Sequence, residues 1–146
     1  MAGFPTTDLK ATLVAGTYSE ADSTPVAFKI ASTLAYKDAA AKAGPVLLEP
    51  IMRLEIVAPD NYLGDIVGDL NARRGKIDGM EMRGGSRVIK ALAPLAEMFG
   101  YATILRTLTQ GRGVFSMEFA VYETTPLHVM EGIIARIEGR VSSTNG

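Results

Sequence analysis

The sequence predicts an α+β protein, and two observations carry that reading. From Leu48 onward, apolar residues recur with strand and helix periods in the order strand, helix, strand, strand, helix, strand. Between the second and third strands stands Gly84-Gly85, a dipeptide that reaches positive φ without steric cost and so suits a tight antiparallel hairpin. This is the split βαβ order, βαββαβ, of a ferredoxin-like sandwich. A strand-loop-helix segment precedes it as a partial α/β domain, and a C-terminal helix follows. The expected boundaries are 1–44, 45–126 and 127–146.

Taken in order, Leu9, Ala11 and Leu13 alternate with polar neighbours across residues 8–18, the period of a half-buried strand. Ser19 to Ser23 reads as a loop. Thr24 is suited to cap a helix and Pro25 to occupy its first position, where a missing N–H costs nothing. That helix runs to about Ala43. Its apolar residues Val26, Phe28, Ile30, Ala31, Leu34, Ala35 and Ala39 spread over more than one stripe, which a single neighbouring strand does not cover. The first 44 residues are therefore expected to dimerise, exchange strands or be partly disordered. Gly44-Pro45 ends the helix and marks the boundary.

Met52, Leu54 and Ile56 alternate with Arg53 and Glu55 in the first strand of the central domain. Tyr62, Leu63, Ile66, Val67 and Leu70 then trace a helical face that Gly75 closes. Strands over 76–83 and 87–93 flank the glycine pair, with Gly79 as a candidate bulge. After Pro94 a helix is expected over about 95–108. Phe115, Met117, Phe119 and Val121 then alternate with Val114, Ser116, Glu118 and Ala120 as the closing strand. A last helix over about 127–137 carries Val129, Met130, Ile133, Ile134 and Ile137 on one side, with a frayed tail over 142–146.

Composition excludes several classes of function. With 47% hydrophobic residues, 21% charged and a net charge of -1 over 146 residues, the chain is an ordinary globular one. Any grip on nucleic acid must come from local clusters of Arg and Lys. The absence of cysteine removes disulfides, thiol catalysis and a zinc ribbon. No apolar run approaches the roughly 20 residues of a membrane span, and the N-terminus lacks a signal peptide's pattern, so an intracellular, cytoplasmic protein is expected. The single histidine, His128, lacks companions for a metal site and reads as a surface residue. Gly68 to Lys76 is no phosphate-binding loop: six residues separate Gly68 from Gly75 where four are needed, and Ile77 stands where Ser or Thr would hold Mg²⁺. No nucleophile-base pair or carboxylate dyad is visible, so no catalytic residue is assigned.

Three collinear blocks resemble translation elongation factor G. They are Pro45-Val46-Leu47-Leu48-Glu49-Pro50-Ile51-Met52, then Gly64 to Gly75, and above all Leu92 to Tyr122, with Pro94-Leu95-Ala96-Glu97-Met98-Phe99-Gly100-Tyr101-Ala102-Thr103 and Leu105-Arg106-Thr107-Leu108-Thr109-Gln110-Gly111-Arg112-Gly113. The resemblance covers roughly residues 2–126. It implies the end of domain IV followed by domain V of a GTPase that drives translocation on the ribosome. It also implies that GTP and Mg²⁺ belong to an N-terminal domain, leaving this chain with no cofactor and no enzymatic activity. Relatives in ribosome recycling and in tetracycline protection are alternatives within the family. A free-standing ferredoxin-like regulatory or small-molecule-binding module is an alternative outside it.

Three constellations are candidate sites. Arg106 with Thr109-Gln110-Gly111-Arg112-Gly113 sets two guanidiniums, a hydroxyl and an amide around a glycine-rich turn that a phosphate can approach, or else is a plain helix-to-strand connection. The resemblance implies that Arg106, Thr107, Gln110 and Arg112 face the sarcin-ricin loop of large-subunit rRNA. Arg73, Arg74, Lys76, Arg83, Arg87 and Lys90 form a second cluster, an RNA grip or a solvated face balanced by Asp65, Asp69, Asp78 and Glu81. In the family part of this domain faces the stalk base. The third is the loop 16–23, with Tyr18, Ser19, Glu20 and Asp22, which the resemblance places at the domain IV tip in the decoding centre. Its alternative is a helix-capping loop. Here the chain departs from the family, which usually carries His in place of Ser19, and Ser and an acidic residue in place of Thr24 and Pro25.

Overall fold

The computed structural model describes residues 3–144, with side chains described through Gly139. It divides into two compact units, Leu47–Thr125 and a second unit that combines the residues up to Val46 with those from Pro126 onward.

In the larger unit, β1 (Leu48–Pro59), β2 (Lys76–Arg83), β3 (Ser86–Pro94) and β4 (Val114–Thr124) form one antiparallel sheet in the order β2-β3-β1-β4. Two helices, α2 (Leu63–Ala72) and α3 (Tyr101–Leu108), complete the predicted βαββαβ order. β1, first in the chain, is central: Leu54 stands opposite Ala91 on β3 and Met117 on β4. Because side chains alternate across a strand, Leu54, Ile56, Ile89 and Ala91 point to one face, where Ile66, Leu70, Tyr101 and Leu105 join them in a single buried cluster. The opposite face is charged. Arg53 pairs with Glu118 at 2.9 Å, Arg83 with Glu55 and Glu81, and Lys90 with Glu81 at 3.7 Å. Apart from Arg83–Glu81, which lies within β2, these pairs cross between strands, as suits a face left to water.

The turn chemistry follows expectation. Gly84 and Gly85 both hold positive φ, 58° and 82°, between β2 and β3. The ladder slips between Ile77 and Gly79, the bulge that Gly79 marks. At the end of α2, the Gly75 amide donates to the Leu70 carbonyl at 2.7 Å. A Cβ on Gly75 would lie 2.7 Å from that same oxygen, so only glycine fits without a shift.

Two element assignments are corrected, one in each unit. The helix after Pro94 is not continuous: a 3-10 turn at Leu95–Glu97 is followed by Gly100 at φ 75°, and α3 begins only at Tyr101. The left-handed glycine breaks the helical path, and the signal was Gly100 itself. Residues 8–18 form no strand. A strand needs a partner for its backbone groups, and this segment has none among the described residues; Leu13 is 92% exposed.

In the smaller unit, α1 (Pro25–Lys42) is capped as expected, the Thr24 hydroxyl accepting from the Ala27 amide at 3.1 Å. Val26, Phe28, Ile30 and Leu34 are exposed along it and only Ala40 is buried, which agrees with apolar faces lacking their cover. Tyr36 reaches back to donate to the Thr6 hydroxyl at 2.8 Å. The last helix, α4 (Leu127–Thr144), runs beyond the expected 137. Residues 145–146 lie outside the described part. Val129, Met130, Ile133, Ile134 and Ile137 are half-buried on one side of α4, as their spacing predicts, while His128 is exposed.

Candidate functional site

The turn between α3 and β4 collects the sharpest set of polar groups. α3 ends because Gln110 and Gly111 both take left-handed φ, 52° and 80°. The Gly111 amide donates to the Arg106 carbonyl at 2.8 Å, and the Arg112 amide to the Thr109 carbonyl at 3.0 Å. Arg106, Thr107, Gln110 and Arg112 are all on the outside of this frame. Neither Arg106 nor Arg112 makes an ion pair among the described residues, so both guanidiniums remain available to an outside anion. The Thr107 hydroxyl donates to the Thr103 carbonyl at 3.0 Å and keeps its lone pairs for a further donor.

Thr109 behaves differently from its neighbours. It is fully buried, and its hydroxyl donates to the Leu105 carbonyl and accepts from the Gly113 amide, each at 2.7 Å. That hydroxyl is inside the turn and not offered to a ligand. Its inward role has only a faint sequence signal, a Thr four residues ahead of a Gly.

The second cluster is brought together only in part. Arg73 bonds Asp69 at 2.8 Å, donates to the Glu97 carbonyl and lies 5.3 Å from the centre of the Tyr101 ring. Arg74, itself at φ 59°, donates to both Glu49 oxygens at 2.8 and 2.7 Å and to Glu97 at 3.4 Å. Its pKa is raised, first by the hydrogen bond to Glu49, against the opposing effect of burial. These two residues thus tie the end of α2 to β1 and to the 97–101 turn. Arg83 lies on the charged sheet face with Glu55 and Glu81, and Arg87 pairs with Asp60 at 2.6 Å. All four carry carboxylate partners, unlike Arg106 and Arg112.

Tyr101, 1% exposed, packs edge-on against Phe115 with ring centres 5.0 Å apart. Its hydroxyl has no hydrogen-bond partner among the described residues, and burial pushes the phenol up to about 12, Asp69 adding to the rise and Arg73 opposing it.

In the smaller unit, the 19–23 turn is closed from both ends. The Ser23 amide donates to the Ser19 carbonyl and the Ser19 amide to the Ser23 hydroxyl, both at 2.8 Å. Tyr18, Ser19, Glu20 and Asp22 stand exposed around it. Among the described residues no helix is long and apolar enough to cross a membrane.

Comparison with known proteins agrees with this architecture. Residues 46–133 match the family model described as elongation factor G C-terminus, and residues 1–44 match that of elongation factor G, domain IV. A crystal structure from Thermus thermophilus is similar at 45% identity with a TM-score of 0.75, covering 86% of this chain. The chain spans 19% of the length of that relative. With both family models matched in collinear order across the described fold, the chain belongs to the elongation factor G family.

Proposed function

We propose that this chain is the ribosome-binding C-terminal region of an elongation factor G-like protein acting in translocation during protein synthesis. The observation that carries the proposal is the pair Arg106 and Arg112, exposed and without ion pairs among the described residues, on either side of a turn held by left-handed Gln110 and Gly111. Two free guanidiniums and the Gln110 amide are the groups that grip and orient a phosphate backbone, while the Thr107 hydroxyl, its proton given to the Thr103 carbonyl, can accept from a ribose 2′-hydroxyl. Their proposed partner is the sarcin-ricin loop of the large subunit. Arg73, Arg74, Arg83 and Arg87 enter as a second contact, toward the stalk base, in which RNA phosphate competes with the carboxylates that hold them. Tyr18, Ser19, Glu20 and Asp22 are the proposed tip residues toward the decoding centre. GTP, Mg²⁺ and hydrolysis are assigned to an N-terminal domain of the family, so the chain by itself acts as a cytoplasmic binding part and not as an enzyme. The exposed apolar side of α1 supports self-association through the N-terminal segment.

Ser19, where the family usually carries His, favours a second reading within the same family: a diverged paralogue in ribosome recycling or tetracycline protection. The test is binding to large ribosomal subunits and to a sarcin-ricin-loop RNA across a salt series. An Arg106→Ala, Gln110→Ala, Arg112→Ala triple variant is expected to lose affinity. Its log-log salt slope should fall in magnitude by roughly 1.4 to 1.8, the contribution of two phosphate contacts. Equal binding and equal slope for the two proteins would refute the assignment.

A further inference from the structure

The frame of the α3–β4 turn has one buried polar atom at its centre. The Thr109 hydroxyl spends its proton on the Leu105 carbonyl and accepts the Gly113 amide, each at 2.7 Å. Gly113 comes so close that a Cβ there would lie 2.8 Å from that oxygen and 2.9 Å from the Thr109 methyl, distances real Cβ atoms essentially never show. Around this clasp, the Gly111 amide holds the Arg106 carbonyl and the Arg112 amide holds the Thr109 carbonyl. The backbones of the two free arginines are therefore tied to the same turn, and of the bonds that frame its two successive left-handed residues, one ends on the Thr109 carbonyl and the other, from Gly111 to Arg106, spans Thr109.

We propose that Thr109 is a positioning residue for RNA recognition: its buried hydroxyl, clasped to Gly113, sets the geometry in which Arg106, Gln110 and Arg112 are presented to a phosphate backbone. The inference rests on the RNA-binding reading above and adds the residue that makes it geometrically specific. Thr109 touches no ligand. Valine is nearly isosteric with threonine but lacks the hydroxyl, so Thr109→Val leaves the Gly113 amide buried without an acceptor, and the turn gains an incentive to open. Serine keeps the hydroxyl and loses only the methyl.

The experiment compares the whole chain with its Thr109→Val and Thr109→Ser variants in binding to large ribosomal subunits and to sarcin-ricin-loop RNA, with amide exchange followed at Gly113 and in β1. Thr109→Val is expected to weaken binding about tenfold, the order set by one buried donor left unpaired. It should also speed Gly113 exchange while leaving Leu54 and Ile56 protected. Thr109→Ser should restore affinity to within about threefold, which a loss of packing alone does not predict. If Thr109→Val does not fold, Gly113→Ala opens the clasp from the other side, and the same loss is expected. Unchanged affinity in Thr109→Val or Gly113→Ala, whether or not Gly113 exchange accelerates, overturns the positioning role and leaves the RNA site standing. Absence of binding by the unaltered, folded chain overturns both.

Discussion

Arg74 offers a test in which two opposing terms sit on one residue. It donates to both oxygens of Glu49, at 2.8 and 2.7 Å, with side-chain exposures of 24% and 12%. A pair this sheltered lies between a surface ion pair, at about 0–1 kcal/mol, and a buried one whose disruption costs about 3–5 kcal/mol. Arg74→Ala is therefore expected to destabilise the domain by about 2 kcal/mol, since Glu49 keeps its burial and loses its main donor. The backbone supplies the second term. At φ 59° Arg74 holds a left-handed conformation that costs an L-residue about 1 kcal/mol and costs glycine little. Arg74→Gly should consequently be about 1 kcal/mol more stable than Arg74→Ala although it removes the same side chain. Urea unfolding of both variants, and of Glu49→Ala alone and combined with Arg74→Ala, measures the two terms separately. The cycle should return a coupling of about 1–2 kcal/mol. Additive single variants, or an Arg74→Ala protein more stable than Arg74→Gly, would refute the reasoning.

Other outcomes follow from particular contacts. For Tyr101 the folded phenol keeps its proton to about pH 12 while the unfolded one loses it near 10, so stability is fully present below pH 10 and falls by about 2–3 kcal/mol toward 12. Tyr101→Phe should remove this decline without loss at neutral pH, since the hydroxyl has no partner to forfeit; thermal melts across that window check it. Gly75→Ala should cost about 1–3 kcal/mol, because its Cβ would press on the Leu70 carbonyl that the Gly75 amide itself bonds, and a urea midpoint would register the loss. Gly84→Asn should be neutral or stabilising by up to about 0.5–1 kcal/mol, as Asn-Gly suits a hairpin turn with positive φ at both positions, and the same measurement reads it. Light scattering on the whole chain should find self-association that is lost when Phe28 and Leu34 are changed to serine; a monomer at high concentration would contradict the cover expected on α1.

The central domain was legible because each of its signals is local. Period-two alternation marks β1 and β4, Gly84-Gly85 marks the hairpin and Gly79 the bulge, and none needs knowledge of distant partners. Where a feature depends on what lies opposite, the sequence is silent. Leu9, Ala11 and Leu13 alternate as a strand's residues do, yet alternation does not supply the neighbour whose carbonyls a strand must bond. The candidate sites divide in the same way. The exposed turn after α3 can be read from its glycines, but the difference between Arg106 and Arg74 lies wholly in whether a carboxylate arrives from elsewhere in the chain. Nothing around Arg74 in sequence announces Glu49.

The placement of β1 has a consequence for how the domain comes into being. It is the first strand made and lies inside the sheet, bordered by β3 on one edge and, on the other, by β4, the last strand of the domain. During synthesis the hairpin of β2 and β3 can close as soon as it emerges, but the second edge of β1 stays unpaired until Val114–Thr124 has left the exit tunnel. For that interval Leu54 and Ile56 sit in a three-stranded sheet lacking Phe115, with α3 short of part of its floor. Folding of this domain should thus be completed late, paced by the delivery of β4 rather than by the intrinsic speed of its helices.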